Sequence, residues 1–207
     1  TPIGLVASQP MVLVASPTAG VRTLDEFLVK ARANPGRFSY GSSGVGTALH
    51  LAGEMVKESA GVFVVHIPYR GVAPLTSDLI GGQLEYGFFV LSSGLPHIRS
   101  GRVVALGITE TRPSPSAPEI APLARHPALK GVDISSWFGV WGPANLPAPV
   151  VERLRKALAE TLSTPDVRRK LEENGATMAP AGADLGSYQK GEMAKYARIV
   201  KFANIRE

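Results

Sequence analysis

The stretch Phe38-Ser-Tyr-Gly-Ser-Ser-Gly-Val-Gly-Thr-Ala-Leu-His50 holds the residue types best suited to gripping an anion. Gly41, Gly44 and Gly46 let the backbone approach a ligand closely, while Ser42, Ser43 and Thr47 offer hydroxyls. With a strand ending near residue 40 and a helix opening near Thr47, the unpaired amides of the first turn and the positive end of the helix dipole converge on one point. That chemistry suits a carboxylate or a phosphate. His50 lies one turn into the helix, where it either points at the same site or packs. A turn with structural glycines and no ligand is the plainer reading of the same residues. Sharper motifs fail. Gly46 is followed by Thr47 and Ala48 rather than the Lys of a P-loop. A dinucleotide fingerprint would need glycine where Leu49 stands, and Gly41-Ser-Ser-Gly-Val45 is not the G-x-S-x-G of a nucleophile elbow.

Two further segments aim at the same edge. In His66-Ile-Pro-Tyr-Arg-Gly71 a strand runs into a turn, and Tyr69 is a candidate ligand contact. Arg70 reads more simply as a solvated or ion-paired side chain. In Tyr86-Gly-Phe-Phe-Val90 the strand end carries Phe89, either as core or as a wall of the site. The four histidines are scattered, no HExxH occurs and there is no cysteine, so no metal site and no cofactor is expected. Ser43, His50 and Asp78 are the types of a hydrolytic triad, which keeps a serine hydrolase open as an alternative.

The elements that must position these residues follow from the pattern. Short apolar runs at 11–15, 38–40, 63–67, 86–90, 103–108 and 137–141 lack two-residue alternation, as strands buried on both faces do. Helices are expected from the capping box Thr23-Leu-Asp-Glu26 to Asn34, from about Thr47 to Gly61, and over 73–80 before Gly81-Gly82. Strands alternating with helices predict a mostly parallel α/β sheet covered on both sides. After Pro147 three helices are expected, with a possible short strand at 176–179; Val150, Val151, Leu154, Leu158 and Leu162 form an apolar stripe with nothing yet to cover it.

Composition narrows the class. Of 207 residues, 44% are hydrophobic and 19% charged, as in ordinary globular chains. The net charge of +5 is spread out: residues 1–146 hold 11 basic and 9 acidic side chains, and 147–207 hold 11 and 8. No basic face or recognition helix emerges, so neither nucleic-acid binding nor a transcription regulator is expected. No apolar run approaches the roughly 20 residues that span a bilayer, and Thr1-Pro-Ile-Gly-Leu5 does not read as the basic-then-apolar pattern of a signal peptide.

Taken in order, Tyr40-Gly-Ser-Ser-Gly-Val-Gly-Thr47, His50-Leu-Ala-Gly-Glu54, His66-Ile-Pro-Tyr-Arg-Gly71, Asp78-Leu-Ile-Gly-Gly-Gln83, Leu95-Pro-His-Ile-Arg-Ser-Gly101 and Ser135-Ser-Trp-Phe-Gly139 resemble the substrate-binding proteins of tripartite tricarboxylate transporters, the Bordetella uptake gene type. The resemblance covers essentially the whole chain. It implies an α/β periplasmic binding protein-like fold (type II, Venus flytrap), no catalytic activity, and a small organic acid handed to integral-membrane transporter subunits; a sensor feeding a signalling partner is the alternative output. By motif match the ligand contacts would be Ser42, Ser43, Gly44, Gly46, Thr47 and His50, with Phe89 at its strand end. Members that recognise amino acids tend to carry an acid where Phe89 stands, so a ligand without an amine is expected. Members also usually begin with a further α/β stretch. The resemblance therefore implies one complete lobe over 12–140, with 1–11 and 141–207 a largely helical remnant of the other, and possible dimerisation through the exposed C-terminal helices.

Overall fold

The computed structural model describes residues 1–205. In chain order the elements are β1 (Pro2–Ala15), α1 (Leu24–Ala33), β2 (Ser39–Ser42), α2 (Ala48–Ala60), β3 (Val65–Pro68), α3 (Val72–Gly81), β4 (Tyr86–Val90), α4 (Leu91–Arg99), β5 (Val104–Ile108), β6 (Ser135–Trp141), α5 (Ala148–Ser163), α6 (Pro165–Glu173), β7 (Thr177–Met178) and α7 (Leu185–Phe202).

β1 organises the molecule. Its first half alternates, with Ile3, Leu5 and Ala7 buried between more exposed neighbours, so only one face is covered. From Gln9 onward every residue is buried. The change coincides with a change of partners: Pro10 pairs with Ser135 of β6, and the next residue, Met11, pairs with Val90 of β4. One strand thus belongs to two sheets. The larger has the order β3-β2-β4-β1-β5 and is mixed, because β2 runs parallel to β3 and β4 while β1 opposes β4 and β5. The smaller consists of β6 and β7 on the N-terminal half of β1, both antiparallel. The run expected at 11–15 is therefore much longer, and β6 pairs with residues 2–10 of β1.

Side-chain alternation sends the larger sheet's residues into two cores. Met11, Leu13, Ala15, Tyr86 and Phe88 meet Phe27 and Leu28 of α1 and Met55 of α2 on one face. Val12, Val14 and Phe89 meet Leu75 and Leu79 of α3 and Leu91 and Leu95 of α4 on the other. Each of the Val, Leu, Met and Phe side chains among them contributes about 1.5–3 kcal/mol on burial. The helices begin where the caps expected from sequence stand: Thr23 and Glu26 form the reciprocal capping box, and Thr47 caps α2. Gly61 and Gly82 end α2 and α3 in left-handed geometry. Helix α4 was not anticipated, because Ser92, Ser93, Gly94 and Pro96 all lower helix propensity. It forms because Gly94 lets the helix lie directly on Phe89 and Val12.

Beyond Pro147 the three helices behave differently. α5 and α6 bury no residue, and Val150 and Leu154 stand open. Leu158 and Leu162 of the same stripe line a cavity of about 520 Å³ against Ile3, Leu5, Met178 and Leu185. α7, by contrast, is covered. Ile199 is fully buried, Tyr196 and Val200 pack on the core containing α2, and Arg198 reaches Glu58 at 3.3 Å. An apolar stripe read from sequence does not say which neighbour meets it.

Candidate functional site

Strands β2, β3 and β4 run in the same direction and each leads into a helix, so the N-termini of α2, α3 and α4 gather at one edge of the larger sheet. Neither α3 nor α4 has a side-chain cap, which leaves their first-turn amides without that partner. The edge lies where β1 passes between sheets, since Val90 pairs with Met11. Thr109, just past β5, fastens this crossing: its hydroxyl accepts the Met11 amide at 3.0 Å and donates to the Ile134 carbonyl.

The Gly/Ser loop fills the gap between β2 and α2. Gly44 (φ 140°) and Gly46 (φ 74°) occupy backbone regions that favour glycine. The Thr47 hydroxyl donates to the Gly44 carbonyl at 2.8 Å and accepts the His50 amide at 3.4 Å. The Gly46 amide donates to His50 Nδ1 at 3.0 Å. With the Gly46 and His50 amides taken, those of Ala48 and Leu49 remain as first-turn donors with no acceptor in the helix. Ser43 is half-buried, and the loop tip at Val45 and Gly46 is exposed. The loop is tied to the β3–α3 turn by the Tyr69 amide on the Ser42 carbonyl at 3.0 Å and the Gly71 amide on the Ser43 carbonyl at 3.3 Å.

Of the eight residues singled out from sequence, Ser43, Gly44, Gly46 and Thr47 lie together on this loop. Ser42 and His50 lie behind it. Ser42 is fully buried, and its hydroxyl accepts the Gly44 amide at 3.2 Å and sits 2.7 Å from His66 Nε2. His50 is 5% exposed and is spent on Gly46. The tyrosine expected at the ligand turns its hydroxyl away: Tyr69 donates to Asp78 Oδ2 at 2.7 Å, and burial followed by that carboxylate pushes the phenol up to about 12. Phe89 is fully buried among Val12, Gly94 and His97 on the α3/α4 side. Its ring thus faces this core rather than the Gly/Ser loop.

The residues missed by sequence reasoning are Ser92 and Gln9. Ser92 opens α4 at the same edge, and its hydroxyl donates to Gln9 Oε1 of β1 at 2.8 Å. A second Ser-Ser pair at a strand-to-helix passage, Ser92-Ser93, echoes Ser42-Ser43 and was the available signal. His66, one of four histidines that look scattered in the sequence, also belongs here. Its ring stacks on His50 at 3.8 Å between centroids and 10° between planes. Burial, then the adjacent His50, pushes it down to about 4, so it is neutral at neutral pH. Burial also lowers His50, against the pull of Glu54.

A hydrolytic triad does not assemble. Asp78 is held by Tyr69, His50 Nδ1 is held by Gly46, and Ser42, the one serine on a histidine here, has no exposed surface. Among the described residues no group of three or more acidic, histidine or cysteine side chains is placed to hold a metal ion, and no helix is long and apolar enough to cross a membrane.

Comparison with known proteins gives the same architecture. A protein from Pseudomonas sp. (strain P51), described by its place in the tcbD-tcbE intergenic region, is 34% identical over 200 residues, covering 96% of this chain and 60% of its own. BugT of Bordetella pertussis is 28% identical, covering 97% and 61%. The chain thus spans about three fifths of the length of these relatives. Among solved structures, R. palustris Rpa4515 with adipate superposes with a TM-score of 0.89 at 27% identity, over 99% of this chain and 69% of the other. The periplasmic binding protein BugD gives 0.86 at 30%, over 99% and 69%. The fold is that of an α/β periplasmic binding protein. The profile described as the tripartite tricarboxylate transporter family receptor matches residues 1–205. Proteins of this family are solute receptors and not enzymes, and this chain belongs to the tripartite tricarboxylate transporter receptor family.

Proposed function

We propose that this chain supplies the main anion-gripping wall of a periplasmic receptor that closes on a small carboxylate and delivers it to membrane transporter subunits. The observation that carries the reading is the gathering of three helix N-termini around a Gly/Ser loop at the strand where two sheets meet. Ser43, Gly44, Gly46 and Thr47, with the free amides of Ala48 and Leu49, form the grip. Uncharged donors at a helix start bind an anion without requiring a buried cation of their own. The two units would be residues 11–134 around the larger sheet and residues 1–10 with 135–205 around the smaller, hinged where β1 and the segment before β6 cross. Structures of relatives carry adipate in one case and malate in another, which points to dicarboxylates as the first class to examine.

Titration calorimetry with adipate, malate, succinate and the amine-bearing aspartate tests the reading. Saturable binding of at least one dicarboxylate is expected, weakened about tenfold or more by Ser43→Ala with Thr47→Ala. Binding left unchanged by that pair of substitutions would remove the loop from the site. The signalling output predicts the same binding but no effect of gene loss on uptake of the ligand.

A further inference from the structure

We propose that His66 is a positioning residue for the anion-gripping loop, acting with His50 as a pair of uncharged imidazoles that holds the loop from behind without touching the ligand. This rests on the proposed role of the loop and adds how that loop keeps its shape.

The loop has two anchor points on the pair. At its start, Ser42 Oγ lies 2.7 Å from His66 Nε2 and also binds both the amide and the carbonyl of Gly44, at 3.2 and 3.0 Å. At its end, the Gly46 amide donates to His50 Nδ1 at 3.0 Å. The two rings stack at 3.8 Å and 10°, so moving one imidazole moves the other. His66 is further held by the Tyr40 ring at 5.0 Å on its other side. The phenol of Tyr40 in turn donates to Glu54 at 2.6 Å. A chain of contacts thus runs from α2 and β2 into both ends of the loop.

The hydrogen bond at the end of the loop requires a neutral His50. A nitrogen that accepts the Gly46 amide carries a lone pair, which places the His50 proton on Nε2, facing Glu54 Oε1 at 3.8 Å. Two imidazolium rings stacked face to face at this separation would repel each other. The charged and titratable groups facing the pair are Glu54 and Lys57 of α2 and the Tyr40 phenol of β2. Lys57 sits 2.7 Å from Glu54 and already matches that carboxylate, so Glu54 does not call for a second cation. α7, which also packs on α2, sends Arg198 to Glu58 instead. Burial lowers both imidazoles, and His50 lowers His66 further, in agreement with the geometry.

Ring charge and ring placement give separate readouts. Nitrogen-15 spectra of the histidine rings in the full chain should show neutral His50 and His66 at pH 6.0, with His50 protonated at Nε2. Adipate affinity should then not rise between pH 7.5 and 6.0, whereas an imidazolium in contact with the ligand would strengthen it severalfold over that range. His66→Gln, which can give or take the hydrogen bond to Ser42, should bind adipate within about threefold of the wild type. His66→Leu should bind at least tenfold more weakly, with shifted Gly44 and Gly46 amides. Cationic rings at pH 6.0, or a folded His66→Leu that binds adipate like the wild type, would overturn the proposal. If the wild type binds no carboxylate, the proposed function falls separately, while ring spectra and the Gly44 and Gly46 amide shifts of His66→Gln against the wild type still decide this inference. Should His66→Leu fail to fold, the wild-type spectra and His66→Gln carry the decision: neutral rings with Gly44 and Gly46 amides in His66→Gln close to those of the wild type support the proposal, and cationic rings or strongly displaced amides in His66→Gln overturn it.

Discussion

Gly53→Ala should destabilise this protein, although the same change in an open helix stabilises. Gly53 lies inside α2, where alanine is favoured over glycine by about 1 kcal/mol. Here an added methyl would fall on the Tyr40 ring, 2.8 Å from Cδ2 and closer still to Cε2 and Cζ. Tyr40 is 3% exposed, packed against Phe88 and fixed by its hydrogen bond to Glu54, so it has no free direction of retreat. Overpacking of this kind costs about 1–3 kcal/mol. A displaced phenol that leaves Glu54 adds about 1–3 kcal/mol. Set against the helix gain, the net loss is about 1–5 kcal/mol, or roughly 2–20 °C in melting temperature for a chain of this size. Gly191 of α7 is the matched control, since nothing lies within 4 Å of a methyl there. Urea unfolding of both variants gives the comparison. Gly191→Ala should raise the midpoint by up to about 1 kcal/mol in stability and Gly53→Ala should lower it. A stabilising Gly53→Ala would refute the packing of Tyr40 beneath the loop.

Thr47→Ala removes the cap of α2 and the tie to Gly44, and should cost about 1 kcal/mol in urea unfolding while weakening carboxylate binding about tenfold by calorimetry. Tyr40→Phe removes one of the two hydrogen bonds to buried Glu54 and should cost about 1–3 kcal/mol in the same unfolding assay. His66 is lowered from 6.5 to about 4 in the folded protein, so between those values the unfolded chain binds more protons and stability falls as pH falls. The contribution is fully present above pH 6.5 and lost towards pH 4, amounting to about 1–2 kcal/mol once solvent screening of a half-buried ring is allowed for. Urea midpoints measured at pH 7.0 and 4.5 should differ less in His66→Gln than in the wild type.

Much of the framework could be read from local signals. The Thr23 and Thr47 caps and the Gly61 and Gly82 stops set α1, α2 and α3 almost to the residue, because caps and left-handed glycines are decided by their own backbone groups. The Gly/Ser loop was legible for the same reason. What a side chain does behind a loop was not. Ser42 and Ser43 are adjacent and chemically identical, yet one is sealed against His66 and the other faces outward, a difference set by strand pleat and by β3 lying beside β2. Phe89 looked like a site wall because it ends a strand. Its pleat sends it instead to the α3/α4 core, under Gly94. β1 escaped recognition over residues 2–10 because Gly4 and Pro10 interrupt an otherwise visible alternation of Ile3, Leu5 and Ala7. Helix α4 depends on tertiary contact that outweighs poor propensity.

The central claim is that an anion binds at the backbone of residues 43–49. Its most direct test is a titration of the nitrogen-15-labelled chain with adipate, followed through the backbone amides. The largest shifts are expected at Ser43, Gly44, Gly46, Thr47, Ala48 and Leu49, with smaller ones at Tyr69 to Val72 across the shared turn. Shifts that spare these amides and gather elsewhere, for instance around Leu158 and Met178, would contradict it.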